Sequence, residues 1–307
     1  MYNKILVPLD GSELAESVLP YVEAMAATES NVSVTFLYVV TVDIPMAGQK
    51  YKDKIEAEAT RAAENYLAAL SKKLKYNDEV KTVVCVGKAA ETIADYAKKH
   101  KMNLIIMTTH GRSGIGRFSH GSVADKVLHG SDIPIWMVRA SVPKPRAFRK
   151  GQKIKMLVPL DGSKLAEGAL KYVAVLCKQI GESNTDITLF RTIELFSPPF
   201  IYPPEMPINI EEYIEYEKKR TNDICIQYLQ KMQKQLEKEG IKSKYAVQDG
   251  IPADVIIDYS NKNDIDMIIM STHGRTGLSR WAFGSIAEKV VQSAGSSVFL
   301  VRSSEKK

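Results

Sequence analysis

Two stretches of the chain place an acid where a ligand could meet it. Pro8-Leu9-Asp10-Gly11-Ser12 closes an apolar run, and Pro159-Leu160-Asp161-Gly162-Ser163 closes another. Ser12 and Ser163 are natural helix N-caps, with Glu13 in the first turn of the first copy. Capping explains the Gly-Ser pair and leaves the acid unexplained. A carboxylate at a strand exit can accept hydrogen bonds from a ribose hydroxyl or a base amino group. It repels a polyphosphate, which assigns Asp10 and Asp161 to the nucleoside end of a ligand. Equally, the carboxylate can stabilise its own turn.

A second pair of stretches offers the opposite charge. Met107-Thr108-Thr109-His110-Gly111-Arg112-Ser113-Gly114 is followed, after nine residues counted from Gly111, by Gly121-Ser122-Val123. Met270-Ser271-Thr272-His273-Gly274-Arg275-Thr276-Gly277 is followed in the same way by Gly284-Ser285-Ile286. Glycines let the backbone approach an anion, free amides at a helix N-terminus point at it, and the helix dipole favours negative charge. Arg112, Arg117, Arg275 and Arg280 add positive charge, and Ser122 and Ser285 can cap the helix or bind phosphate oxygens.

Two familiar phosphate loops do not fit. Gly116 and Gly121 have the Walker A spacing, but Ser122 stands where lysine is required and Ser279 replaces the first glycine in the second copy. A dinucleotide fingerprint follows the first strand of its unit, whereas this loop follows the fourth. Of five histidines, only His110 and His273 occupy equivalent positions, and neither has a partner at metal-ligand spacing. The sequence therefore offers no metal site built by protein and no catalytic dyad. Leu37-Tyr38-Val39-Val40 ends the second strand, and the main chain at Val39 (Thr192 in the second copy) could read a base edge. An ordinary core strand is the stronger reading of that segment.

The elements that must position these residues are legible as a tandem repeat. ILVPLDGS at 5–12 recurs as MLVPLDGS at 156–163, and HGRSGIGRFSHGSVADKVL at 110–128 recurs as HGRTGLSRWAFGSIAEKVV at 273–291. The extra length of the second copy lies mostly at 197–210, a proline-rich insert. The boundaries expected are domain 1 at 1–140, a basic linker at 141–153 and domain 2 at 154–303. Ile5–Leu9, Val32–Val40, Val80–Val86, Leu104–Thr108 and Ile133–Val138 read as buried strands. Glu13–Ala27, 51–75, Ala89–Lys99 and Ser122–His129 read as helices, the second through Ile55, Ala59, Ala62, Tyr66, Leu70 and Leu74. The second copy repeats the order, with 211–239 as its long helix. Alternating strands and helices mean α/β units: a parallel sheet covered on both faces, with ligands bound beyond the carboxyl ends of its strands.

Composition narrows the class. At 307 residues, 45% hydrophobic and 25% charged, the chain has the size and balance of two globular domains. The net charge of +6 is matched by six basic residues in 141–155 (Lys144, Arg146, Arg149, Lys150, Lys153 and Lys155), with no acid among them. The globular halves are thus near neutral, which argues for a solvated linker and against nucleic-acid binding. Three unpaired-looking cysteines and no long apolar stretch give the expectation of a cytoplasmic protein without membrane contact.

The strand-end Asp, together with the pattern G-x-x-G, nine residues, then G-[ST], resembles the universal stress proteins. The resemblance spans both halves, as in a tandem two-domain member. It implies two Rossmann-like domains of the adenine nucleotide alpha hydrolase type, each a five-stranded parallel sheet with helices on both faces. It implies binding of ATP or AMP, with Mg or Mn held through the phosphates. Pro8, Asp10 and Val39 would then meet adenosine. Met107, Thr108, His110, Gly111, Arg112, Gly114, Gly121, Ser122 and Val123 would meet ribose and phosphates. The second-half equivalents are Pro159, Asp161 and Thr192, then Met270, Ser271, His273, Gly274, Arg275, Gly277, Gly284, Ser285 and Ile286. The family's first loop glycine is Thr108 and Ser271 here, which suits the loop only if that position keeps φ below zero. The resemblance further implies internal pairing through Ile133–Val138 and Ser297–Val301, an intrachain pseudo-dimer that leaves further dimerisation open. The function expected is a nucleotide-binding stress-response or signalling module read by a protein partner. The alternatives are a weak ATPase of the same fold, disfavoured by the lack of an activating lysine, and a non-binding interaction scaffold.

Overall fold

The computed structural model describes residues 1–28, 31–42, 49–74, 80–109, 122–139, 152–194, 210–272 and 284–302. In the first half, strands β1 (Lys4–Leu9), β2 (Ser33–Val40), β3 (Lys81–Val86), β4 (Leu104–Thr108) and β5 (Ile135–Val138) alternate with helices. The helices are α1 (Glu13–Glu16), α2 (Leu19–Ala26), α3 (Gln49–Ser71), α4 (Ala89–Lys99) and α5 (Ser122–Gly130). The second half repeats this with β6 (Ile154–Pro159), β7 (Thr185–Ile193), β8 (Ser243–Asp249), β9 (Met267–Ser271) and β10 (Ser297–Val301). Its helices are α6 (Lys164–Glu167), α7 (Ala169–Ile180), α8 (Ile210–Glu237), α9 (Pro252–Lys262) and α10 (Ser285–Ser293).

All ten strands form one sheet in the order β3-β2-β1-β4-β5-β10-β9-β6-β7-β8. Pairing is parallel within each half and antiparallel only where the halves meet, at β5 and β10. The inner strands are buried on both faces because successive side chains point to opposite faces and most of those on either face are apolar. Ile5 and Val7 face one side with Val22, Met25 and Leu67, while Leu6 faces the other with Ile93 and Val127.

Three expectations need correction. The segment Glu13–Ala27 is two helices, broken at Ser17-Val18. Pro20, in the first turn of α2, has no N–H to continue α1. The second half breaks at the same place, at Gly168, with Lys171 where Pro20 stands, so proline is not the sole cause. In α3 the buried stripe runs through Ala63, Leu67 and Leu70, and Ala62 is exposed. The segment Val80–Val86 is not a buried strand: β3 lies at the sheet edge and Val86 is exposed.

The junction is a shared core. Trp136 pairs with Phe299, Met137 with Val298 and Ile135 with Leu300. Trp136 also meets Tyr21 edge-on at 5.4 Å, and Tyr2 meets Phe299 at 5.5 Å. Pseudo-twofold-related arginines reach across it: Arg139 Nη1 donates to the Ala294 carbonyl at 3.1 Å, and Arg302 Nη1 donates to the Ser131 carbonyl at 3.5 Å. Gln179 of α7, 4% exposed, breaks this symmetry. Its amide oxygen accepts from Tyr2 N at 2.8 Å, and its nitrogen donates to the Tyr2 carbonyl at 3.1 Å and to Thr28 Oγ1 at 3.2 Å.

Gln179→Leu strands a buried N–H and C=O of Tyr2, so it should lower stability by about 1–3 kcal/mol, read as a shift in the urea midpoint. Burial pushes the Cys177 thiol up to about 11. A raised folded-state pKa favours the neutral form, so its stabilising effect is complete below the unfolded thiol's pKa and lost as pH rises through about 11. Equilibrium unfolding on the alkaline side should show that loss, and Cys177→Ala should reduce it.

Candidate functional site

Strand order reverses between β1 and β4, and again between β6 and β9. Such switch points open a crevice beyond the carboxyl ends of the strands. Here the backbone shows how the crevice opens. On its β2 side β1 stays paired through Leu9↔Tyr38, but on its β4 side the register ends at Leu6↔Ile105. Pro8, which has no N–H to donate, lies just past that point. The second half repeats the arrangement: β6 pairs with β7 through Pro159↔Phe190 and with β9 only through Leu157↔Ile268. Pro8 and Pro159 are half-buried at these openings.

The acid sits on the lip of each crevice and holds its own turn. Asp10 Oδ1 accepts from Ser12 N at 3.0 Å and from Ser12 Oγ at 2.6 Å. Asp161 Oδ1 accepts from Ser163 N at 2.9 Å and from Ser163 Oγ at 2.6 Å. The serine hydroxyls in turn accept from Ala15 N and Ala166 N, both at 3.1 Å, capping α1 and α6 as their sequence suggests. Between acid and serine, Gly11 and Gly162 adopt φ of 81° and 86°, a conformation that favours glycine.

Thr108 and Ser271 end β4 and β9 and are buried. Neither takes positive φ, so replacing the family's first loop glycine strains nothing at these positions. Met107 and Met270 precede them in the core. Gly284 N donates to the Thr272 carbonyl at 2.8 Å, which brings the start of α10 beside the end of β9. Gly284 is the N-cap of α10 and supplies no side-chain cap, leaving the helix's first amides without one. Ser285 and Ile286 are exposed there, and Val123 is half-buried in the first turn of α5. Val39 and Thr192 are half-buried near the ends of β2 and β7. The structure thus brings Pro8, Asp10, Val39, Met107, Thr108 and Val123 to one end of the first half. It brings Pro159, Asp161, Thr192, Met270, Ser271, Gly284, Ser285 and Ile286 to the corresponding end of the second. His110, Gly111, Arg112, Gly114, Gly121, His273, Gly274, Arg275 and Gly277 lie outside the described residues, as does the Ser122 side chain. Among the described residues no cluster of three or more His, Cys, Asp or Glu could hold a metal ion.

A second layer of residues beneath each acid is not evident from the turn motifs. Tyr66 of α3 donates to Glu16 Oε1 at 3.2 Å and meets Tyr38 edge-on at 6.0 Å. Burial first, then the Glu16 charge, raises its pKa, and Asp10 and Tyr38 add to the rise. Tyr228 of α8 takes the same station beside Glu167, with Asp161 again in range. The signal available in the sequence is that both tyrosines and both glutamates recur at equivalent repeat positions. At the place of Tyr38, however, the second half has Arg191.

Comparisons with known proteins agree with this architecture. The model of the universal stress protein family matches residues 1–139 and 154–302. The universal stress protein MJ0531 of Methanocaldococcus jannaschii is 29% identical over 52% of this chain and 89% of its own length. A universal stress protein of Methanothermobacter thermautotrophicus is 31% identical over 45% of this chain and 97% of its own. A universal stress protein structure from Archaeoglobus fulgidus covers 98% of this chain and 99% of its own, with a TM-score of 0.69 at 20% identity, a likeness of fold. No described helix is long and apolar enough to cross a membrane.

Gly162→Ala places a Cβ 2.8 Å from Arg191 Nη1 at a positive-φ position. It should destabilise the chain by about 1–2 kcal/mol, measured by thermal or urea unfolding.

Proposed function

The chain belongs to the universal stress protein family, and from that premise we propose that each half binds an adenine nucleotide, ATP or AMP, in the crevice at its switch point. The observation that carries this reading is the juxtaposition, repeated in both halves, of a turn acid, a parted strand ladder and the N-terminus of the helix that follows the fourth strand. The acid suits the neutral, hydroxyl-bearing nucleoside. The α10 amides without a side-chain cap suit phosphate oxygens. Between them lies the gap where the β1–β4 or β6–β9 ladder has parted. In the first half Asp10 and the Val39 main chain would hold adenosine, and the Gly111–Gly121 loop would hold phosphates. In the second half Asp161, Thr192 and the Gly274–Gly284 loop take those parts. A bound Mg or Mn ion would be held by the phosphates.

The two units are 1–140 and 154–303, joined by the basic linker 141–153. The protein acts as a cytoplasmic stress-response or signalling module, in which nucleotide occupancy alters the loops that a protein partner meets. Its turnover of nucleotide is at most slow.

Denaturing freshly purified protein and quantifying the released adenine nucleotide by chromatography tests this reading. The expected result is up to two nucleotides per chain, or calorimetric binding of ATP with magnesium to an emptied chain. Asp10→Ala combined with Asp161→Ala should weaken binding at least tenfold. A chain that carries no nucleotide and gives no calorimetric signal overturns the proposal.

A further inference from the structure

The two crevices differ in charge at one half-buried station. In the first half, Tyr38 lies against Tyr66 beneath the Asp10 turn. In the second half, Arg191 fills that place, and its guanidinium lies flush against the Asp161–Gly162 turn. A Cβ on Gly162 would fall 2.8 Å from Nη1 and 3.3 Å from Nη2. The group is held from three sides. Its Nε donates to Cys225 Sγ at 3.1 Å, its Cζ lies 4.9 Å from the Tyr228 ring centroid, and the glycine turn closes the third side. Cys225 stands where α3 has Ala63, so both Arg191 and its sulfur partner belong to the second half alone. Nη1 is buried and has no hydrogen-bond partner among the described residues. The ionisable groups gathered under the two turns therefore differ. The first half has Asp10, Glu16, Tyr38 and Tyr66, and the second has Asp161, Glu167, Tyr228 and the cation of Arg191.

We propose that Arg191 is a specificity-determining positioning residue of the second crevice, making it favour adenine nucleotides that carry an anionic group on the ribose itself. The proposal rests on the nucleotide-binding reading above and deepens it. Without the guanidinium, Asp161 repels any negative charge at the nucleoside end, as Asp10 does in the first half. A fixed cation under the turn offsets that repulsion, and an Arg–carboxylate field only partly exposed to water is weakly screened. Arg191 acts through the turn it supports and not by direct contact, because its free nitrogen is buried.

Calorimetry on the full chain tests this, with Gly121→Val blocking the first pocket and Gly284→Val blocking the second. The probes are AMP and adenosine 3′,5′-bisphosphate, which differ by one ribose phosphate. The affinity ratio of bisphosphate to AMP should be roughly tenfold higher in the second pocket than in the first, and the difference should shrink as salt is raised. Arg191→Tyr should bring the bisphosphate-to-AMP ratio of the second pocket down to that of the first, Arg191→Lys should keep most of the preference, and Tyr38→Arg should transfer it to the first pocket. The Tyr38 variant keeps the test decisive if Arg191→Tyr unfolds. Equal ratios in the two pockets, or an unchanged ratio in Arg191→Tyr, overturn this inference and leave nucleotide binding standing. Failure of AMP to bind either pocket overturns both.

Discussion

A strand in the middle of a sheet must hand its backbone N–H and C=O groups to neighbours on both sides, and leaving any of them buried and unpaired is costly. In each half of this chain the central strand meets that demand unevenly. β1 keeps its β2 partner to the end but loses β4 after Leu6, and β6 loses β9 after Leu157. Proline at position 8 or 159 makes the early release tolerable, since it removes a donor where no acceptor follows. The room at the switch point and the placement of the acid on its lip both follow from this parting of strands.

The halves then solve an edge problem for each other. β5 and β10 are short and mostly apolar, the kind of edge that invites uncontrolled pairing. Joined to each other they become interior strands, and the core runs without interruption from Tyr2 to Val301. The pseudo-twofold symmetry of Arg139 and Arg302 is broken by Gln179, whose counterpart in the first half is Thr28. One buried amide thus gives the junction a direction, and two copies of the same half could not reproduce it. A buried polar group at a pseudosymmetric contact often serves this discriminating role.

Most of the fold was legible because the repeat doubles every signal. Strands β1, β2 and β4 and helices α3, α4 and α8 lie within a few residues of where apolar periodicity puts them. The break between α1 and α2 was hidden because both segments keep their apolar residues on one helical face. The edge character of β3 was hidden because its valines and cysteine resemble a core strand, and exposure depends on strand order, which periodicity does not encode. At the site, the capping role of Ser12 and Ser163 was plain from composition. For Asp10 and Asp161 the sequence left two roles open, and the turn hydrogen bonds establish one of them at Oδ1. The second layer, Tyr66 with Glu16 and Tyr228 with Glu167 and Arg191, needed the packing of distant helices and could not be read from local spacing.

Because β5 and β10 run antiparallel, the carboxyl ends of the first half's strands and those of the second half's emerge at opposite margins of the sheet. A molecule docked at one opening faces away from the other. One rigid, flat surface therefore cannot lie across both openings at once. In terms of valency, the single chain presents two outlets directed to opposite margins, one with Tyr38 beneath its turn and the other with Arg191.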